Sequence, residues 1–266
     1  MDTIQRVAAA AEAHDGAAPL DEATWLALRH HPDSVRSWVR DDGFALLIGP
    51  DLSVVVDPAA RGRGLGRSLV DEALPTTGEV RAWSHGDHPA AAALARSLGF
   101  ERVRELWVMR RDMTVPLPAY DSERIRSYRP DDAGELVRVN AAAFAHHPEQ
   151  GSMDAENLAE RMGEPWFDPA GLLVATDGDR MLGFHWTKQH SAELGEVYVV
   201  GIDPAAQGRG LGKTLTLGGL HHLASRGVAE VLLYVESDNA PAVALYSGLG
   251  FGHAQPDTHV MYSRPR

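Results

Sequence analysis

One eleven-residue segment occurs twice in this chain. Residues 57–67 read DPAARGRGLGR and residues 203–213 read DPAAQGRGLGK, identical at nine of eleven positions. The two differences are polar or basic exchanges. Farther on, Leu98-Gly99-Phe100 is matched by Leu249-Gly250-Phe251. A spacing of 146 residues is too long for a solenoid unit. It means two copies of one domain, and a chain of 266 residues gives each copy enough length for a core. Residues 112–121, DMTVPLPAYD, carry two prolines and no periodic pattern, which marks a linker. The expected domains are 1–115 and 122–266.

Periodicity gives each copy an alternation of strands and helices. In the second copy, strands are expected at 196–202, 229–236 and 259–264, with helices at 208–226 and 239–248. Gly227 suits the end of the longer helix. In the first copy, strands are expected at 52–56, 79–83 and 102–110, with helices at 63–74 and 88–97. The fold class is α/β in the mixed α+β sense.

Each repeat sets Gly-x-Gly-Leu-Gly between a strand and a helix. Glycines let the backbone turn sharply and come close to a ligand. A helix N-terminus presents unpaired N–H groups and a partial positive charge. Together they make a phosphate cradle. Arg61, Arg63 and Arg67 in the first copy, and Arg209 and Lys213 in the second, add positive charge. The loop also reads as a tight structural turn. The dinucleotide pattern fails, because Gly62-Arg63-Gly64-Leu65-Gly66 lacks its final spacing. The triphosphate loop fails too, since Gly208 stands four residues before Gly212 where five are needed. The formal net charge of −12 speaks against general binding to nucleic acid or anionic membranes, so a polyanion would need such a local site.

The pattern Arg/Gln-x-x-Gly-x-Gly resembles the pyrophosphate loop of the GCN5-related N-acetyltransferase superfamily. Asn239, Tyr246 and Leu249-Gly250-Phe251 fall where that superfamily carries its next motif. The resemblance covers nearly the whole chain, twice. It implies two tandem domains, each a mostly antiparallel central sheet flanked by helices, and acetyl-CoA as cosubstrate.

Transfer of acetyl from a thioester needs an amine stripped of a proton and a protonated leaving thiolate. The chain has no cysteine, so an acyl-cysteine route is closed and direct attack by the amine is simplest. Glu196 lies in an apolar strand, where a carboxylate is costly without a partner or a task. A solvent-facing strand position would also account for it. The resemblance makes Glu196 the general base and gives Tyr246 the role of acid toward the thiolate; a core aromatic is the plainer account of Tyr246. Aligned by the repeats, the first copy has Pro50 in place of Glu196, His88 in place of Asn239 and Ala95 in place of Tyr246. The first domain is therefore expected to bind acetyl-CoA or CoA, or to keep a relic loop, and to do no chemistry.

Longer signatures narrow the resemblance. FAHHPEQG at 144–151, GFHWTK at 183–188, GEVYVVG at 195–201 and LYVESDN at 233–239 are similar to the mycothiol synthases, tandem members of that superfamily. The implied activity is acetyl transfer from acetyl-CoA to the cysteine amine of cysteinyl-glucosaminyl-inositol. Glu22, Glu149, Lys188, Glu196 and Tyr234 are implied to contact that acceptor. Val200, Gly201, Ile202, Gln207, Gly208, Arg209, Gly210, Leu211, Gly212, Lys213, Asn239, Ala240, Pro241, Ala242, Val243 and Ala244 are implied to hold the reacting acetyl-CoA. A second one would fall to Val54, Val55, Val56, Gly62, Arg63, Gly64, Leu65, Gly66 and Arg67. An α-amino group, with a pKa near 7.7–8.0, is roughly one-tenth neutral at pH 7, so a modest base suffices.

Two rival functions stand beside this one: a tandem N-acetyltransferase for another small amine or a protein N-terminus, and a non-catalytic acyl-CoA-binding module. His30-His31, His146-His147 and His221-His222 are adjacent pairs whose side chains diverge, so no metal is expected. His185 and Trp186 either line the acceptor pocket or pack. No stretch approaches the roughly 18 apolar residues of a membrane helix, and the N-terminus lacks a signal-peptide pattern. A cytoplasmic monomer is expected, with a small-molecule thiol-sugar amine as partner and neither nucleic acid nor membrane.

Overall fold

Helical spacing places Ile4, Val7, Ala8 and Ala11 on one face of the first helix, α1 (Asp2–Asp15), and that face is buried. In this computed structural model, which describes every residue except 76–77, 146–149 and 265–266, α1 ends on Gly16 with φ +76°. There follow α2 (Glu22–His30), a hairpin of β1 (Val35–Arg40) and β2 (Gly43–Ile48), and β3 (Asp51–Val56). After the first glycine loop come α3 (Leu65–Ala73), β4 (Val80–Ser84), α4 (Pro89–Ser97) and β5 (Glu101–Asp112). The second copy has β6 (Arg126–Ser127), α5 (Ala133–Ala143), α6 (Ala155–Met162), β7 (Leu172–Asp177), β8 (Arg180–Gln189) and β9 (Leu194–Ile202). Past the second loop lie α7 (Leu211–Ser225), β10 (Glu230–Glu236), α8 (Ala240–Gly248) and β11 (Gly252–Arg264).

All ten elements expected from periodicity form. The helices after the loops start late, at 65 and 211 rather than 63 and 208. The cause is the backbone: Gly62, Gly64, Gly208 and Gly210 all have φ between +76° and +86°. A right-handed helix begins only once that conformation ends. Strand β11 starts at 252 rather than 259, although its first residues are polar, include Pro256 and show no alternation.

Contacts divide the chain into two compact units, by a partition other than a single cut between 115 and 122. Unit 1 comprises Met1–Val108 and Val235–Asn239 with the chain from His253 onward; unit 2 comprises Met109–Tyr234 and Ala240–Gly252. In unit 1 the strand order is β1-β2-β3-β4-β11-β5. The neighbour of β4 is thus β11, antiparallel from Val260↔Ser84 to Arg264↔Val80, rather than β5, which follows it in sequence. Leu47, Leu52, Leu69, Val70, Phe100 and Val260 form a core there. A second cluster packs α1 on Phe44, Leu46 and Val55.

In unit 2 the order is β10-β9-β8-β7-β6. Leu136 and Val139 of α5 and Leu158 of α6 pack with Phe184, Trp186 and Val199 on one face. On α7, Leu211 and Leu215 pack with Leu173 and Ala175 of β7. Arg111 is 3% exposed. It donates to the carbonyls of Leu249 at 2.8 Å and Val115 at 2.9 Å, so a buried cation ties down the proline-bearing segment.

The sheets are mostly antiparallel, and each unit contains one parallel pair. β3 and β4 are matched at Asp51↔Arg81 alone. β9 and β10 are matched from Leu194↔Glu230 to Val197↔Leu233 and then part. In both units the strand that feeds the glycine loop leaves its parallel partner just before the loop.

Candidate active site and glycine loops

The two loops are built alike. Asp203 accepts a hydrogen bond from the Ala205 N–H at 2.9 Å, and Asp57 does the same for Ala59 at 3.0 Å. Each aspartate thereby caps a short 3-10 turn. Two left-handed glycines follow, and then a helix start. The third glycine has another role. A Cβ on Gly212 would lie 3.8 Å from Leu245, and one on Gly66 would lie 3.6 Å from Val56. These are ordinary contacts, so space alone does not demand glycine there.

Asp203 is the more firmly anchored of the two aspartates. It is 4% exposed, and Arg138 and Arg180 approach it at 2.8 and 3.1 Å. The Arg138 hydrogen bond, the Ala205 N–H and the Arg180 bond bring its carboxyl down to about 2 from the usual 3.8. A depressed folded-state pKa adds stability above the unfolded value, which is lost as pH falls through the folded one. Thermal melts from pH 5 to pH 2 are therefore expected to fall more steeply for the wild type than for Asp203→Asn, which has no charge there to lose.

In unit 1 the loop opens on a cavity of about 360 Å³. Val54, Val55, Val56, Gly62, Gly64, Leu65, Gly66 and Arg67 line it, and Arg63 is not among the lining residues. Ala95 and His88, the counterparts of Tyr246 and Asn239, line it as well. Arg61 is fixed at the rim: its two terminal nitrogens meet Asp15 at 2.7 and 2.6 Å, and its Nε donates to the Val56 carbonyl at 3.1 Å. The guanidinium holds the Asp15 carboxyl below its usual value. His88 caps α4 by accepting from the Ala90 N–H at 3.2 Å. Neither Pro50 nor Ala95 can carry a proton, so the two positions aligned with Glu196 and Tyr246 are chemically silent in this unit.

In unit 2 the sheet gathers three of the expected acceptor contacts on one face. Glu196, on β9, is 5% exposed. Lys188 is its direct partner on β8, and Leu232 its partner on β10. Side chains two apart on a strand share a face, so Tyr234 lies one step beyond Leu232 on the Glu196 side. Tyr234 is 44% exposed. The ammonium of Lys188 sits over the Trp166 ring at 4.5 Å and the Tyr198 ring at 5.3 Å. The Tyr198 hydroxyl accepts from Arg161 at 2.7 Å. Tyr198 is the extra residue of a β-bulge: Trp186 faces Val199 and Thr187 faces Val197. The bulge falls where β9 leaves β10. Beyond it Val200, Gly201 and Ile202 keep β8 on one side, while the edge toward β10 is unmatched and offers backbone groups to an extended ligand. Gly201 is also required by packing, since a Cβ would meet the Phe184 ring at 2.6 Å.

Tyr246, on α8, stacks edge-on with Phe251 at 5.9 Å. Its side chain is partly accessible, yet surrounding protein atoms push its phenol up to about 12. It therefore holds its proton through the neutral range. Gln207, Gly208, Arg209, Gly210 and Lys213 are exposed, as a cradle must be. Asn239 immediately precedes α8, whose first turns hold Ala240 to Ala244.

Other positions resolve differently. Glu22 opens α2 in unit 1, capped by Asp21. Glu149 lies outside the described residues. His185 and Trp186 are both 0% exposed and pack. The His185 Nδ1 hydrogen bonds to the Leu215 carbonyl at 2.8 Å, and burial brings the ring down to about 4. Sequence reasoning missed His190, whose Nε2 stands 2.6 Å from Glu196. Its signal was its place two residues beyond Lys188 toward the hairpin. Among the described residues no group of three His, Asp or Glu side chains could hold a metal ion, and no helix is long and apolar enough to cross a membrane.

Comparison with known proteins follows the same division. The family model described as "Acetyltransferase (GNAT) family" matches residues 139–251, and "Acetyltransferase (GNAT) domain" matches residues 22–102. A mycothiol acetyltransferase from a Nocardioides species is 68% identical, over 99% of this chain and 97% of its own length. One from Nocardia farcinica is 50% identical, over 96% and 92%. Among solved structures, a tandem GNAT protein from the clavulanic acid biosynthesis pathway aligns with TM-score 0.71 at 19% identity, over 99% of this chain and 94% of that one. A GCN5-related N-acetyltransferase from Sphaerobacter thermophilus aligns with TM-score 0.67 at 22% identity, over 98% and 91%. These two share the fold. Relatives at 68% and 50% identity span nearly the whole chain, and two GNAT domains match within it: the chain belongs to the mycothiol acetyltransferase family.

Proposed function

We propose that unit 2 moves an acetyl group from acetyl-CoA to the cysteine amine of cysteinyl-glucosaminyl-inositol, completing mycothiol. The observation that carries this is the buried Glu196 facing Lys188 on a sheet face that ends at the glycine loop. Glu196 takes the proton from the acceptor's ammonium, directly or through a water. The neutral amine attacks the thioester carbonyl, a C–N bond forms, and the C–S bond breaks. Tyr246 gives its proton to the departing thiolate, and the second proton released from the nitrogen as the amide forms returns the phenol to its neutral state. Lys188 and Tyr234 hydrogen bond to hydroxyls of the sugar and the inositol. Residues 207–213 receive the pyrophosphate of acetyl-CoA at the start of α7, and Val200–Ile202 run beside its pantetheine arm. Acetyl-CoA supplies the activated acetyl group.

For unit 1 we propose binding of a second acetyl-CoA or CoA without turnover. Its cavity supports this reading, as does the absence of a proton-handling group at positions 50 and 95. The names of the relatives favour the thiol-sugar amine over other small amines.

The test is steady-state turnover against a panel of amines: cysteinyl-glucosaminyl-inositol, glucosaminyl-inositol, an aminoglycoside and a peptide N-terminus. The first is expected to exceed the others in kcat/KM by at least about a hundredfold, a modest demand beside the roughly 10⁴–10⁵ by which a site built to hydrogen bond its substrate rejects analogues that lack the group. Faster turnover of any other amine would overturn the assignment.

A further inference from the structure

Glu196 carries the proposed reaction, and one side chain reaches it. His190 lies in the turn between β8 and β9. The turn is closed by backbone: His190 N–H donates to the Leu194 carbonyl at 2.9 Å. Ser191 Oγ accepts from the N–H groups of Glu193 and Leu194 at 3.2 and 3.1 Å. Two residues beyond Lys188, the His190 side chain falls on the Glu196 face as its diagonal neighbour, within reach of a long side chain. Its Nε2 is 2.6 Å from the carboxylate Oε2. The His190 side chain is 34% exposed and that of Glu196 is 7% exposed.

The chemistry fixes the direction of this bond. An ionised carboxylate has no hydrogen to give, so Nε2 is the donor. A donor to the charged form stabilises it and opposes the desolvation that would otherwise protonate a buried carboxyl. It also spends one oxygen of Glu196. The side chain of Glu196 makes no other hydrogen bond among the described residues, which leaves Oε1 to meet the amine. We propose that His190 is the positioning residue of the Glu196 base: it holds one carboxylate oxygen so that the other is aimed at the amine. This rests on the reading of Glu196 as the base.

A purely structural role is separable, because the turn is closed by main chain and by Ser191, neither of which needs the imidazole. Other groups pack around Glu196. Lys188 faces it from β8 and Leu232 from β10. Leu223 of α7 lies under Gly195. Tyr198, with Arg161 of α6, stands one step along. Glu193 lies in the turn, and Arg226 flanks it through Gln189 at 3.4 Å. None of these is altered in the variants below, so a loss of kcat that glutamine restores reports the His190–Glu196 pair.

The experiment compares wild type, His190→Ala, His190→Gln and Glu196→Gln in the full chain, reading kcat and KM for acetyl-CoA. His190→Ala is expected to lose about ten- to a hundredfold in kcat, the value of one hydrogen bond to a charged group. Its KM for acetyl-CoA should stay within about twofold, because the glycine loop and the far end of β9 are left unaltered. His190→Gln, whose amide can donate, should recover much of the rate. Wild-type kcat in His190→Ala would overturn the proposal, and so would a Gln variant no better than Ala. If Glu196→Gln itself kept wild-type turnover, the base assignment would fall instead, and the two failures are told apart by that arm.

Discussion

Glu196→Gln is expected to lower kcat by about a hundred- to ten-thousandfold, the range that a positioned general base contributes. The reasoning starts from geometry. The strand register sets Glu196 opposite Lys188 and buries it at 5% exposure. Glutamine keeps the volume and can still accept the His190 hydrogen bond, so packing changes little. What disappears is an oxygen able to take up a proton. In the proposed function acetyl-CoA is held by the glycine loop and the open edge of β9, so its KM should be nearly unchanged. Pre-steady-state measurement with saturating acetyl-CoA would show the acetyl-transfer step itself slowed. A variant within threefold of wild-type kcat would remove Glu196 as the base.

The sequence was most legible where one physical rule acted alone. The repeat and the glycine spacing set out the strand–loop–helix order in both copies, since φ near +76° admits little but glycine. The carboxylate in an apolar strand stood out because burial of such a group is costly. Where several forces compete, the reading stopped short. The first helix buries only Ile4, Val7, Ala8 and Ala11, a small apolar face within an alanine run and a weak periodic signal. Residues 252–258 join β11 although Pro256 and polar neighbours show no alternation, because strand pairing in unit 1 overrides local preference. That β11 lies beside β4 is a long-range pairing, which local pattern does not encode. His190 escaped notice for the same reason: its meaning comes from the register that carries it to Glu196. His185, set within a signature segment, proved to be core, since α7 leaves it no solvent.

A matched pair of loop variants should separate the two copies. Gly64 and Gly210 hold φ of +86° and +76° at equivalent places, each the last residue before its helix. A Cβ at either position would meet nothing within 4 Å, so substitution there acts through the backbone alone. Valine, branched at Cβ, is disfavoured in this region by roughly 1–3 kcal/mol. The chain relieves that strain by turning the peptide away, which misaims the N–H groups at the helix start. In Gly210→Val the loss falls on the reacting cofactor. At 1.4 kcal/mol per decade, strain of that size predicts a KM for acetyl-CoA raised by about ten- to a hundredfold. In Gly64→Val the same strain falls on unit 1, where Pro50 and Ala95 leave nothing to catalyse. Turnover at saturating acetyl-CoA should then stay within about twofold of wild type, while native mass spectrometry should count one bound acetyl-CoA in place of two. Thermal melts of both variants check that the loops alone have changed. A wild-type protein that bound only one cofactor would mark the first loop as a relic. A Gly64→Val protein that lost turnover while Gly210→Val kept it would reverse the assignment of the two units, because only the loop beside the proton-handling residues can govern the rate.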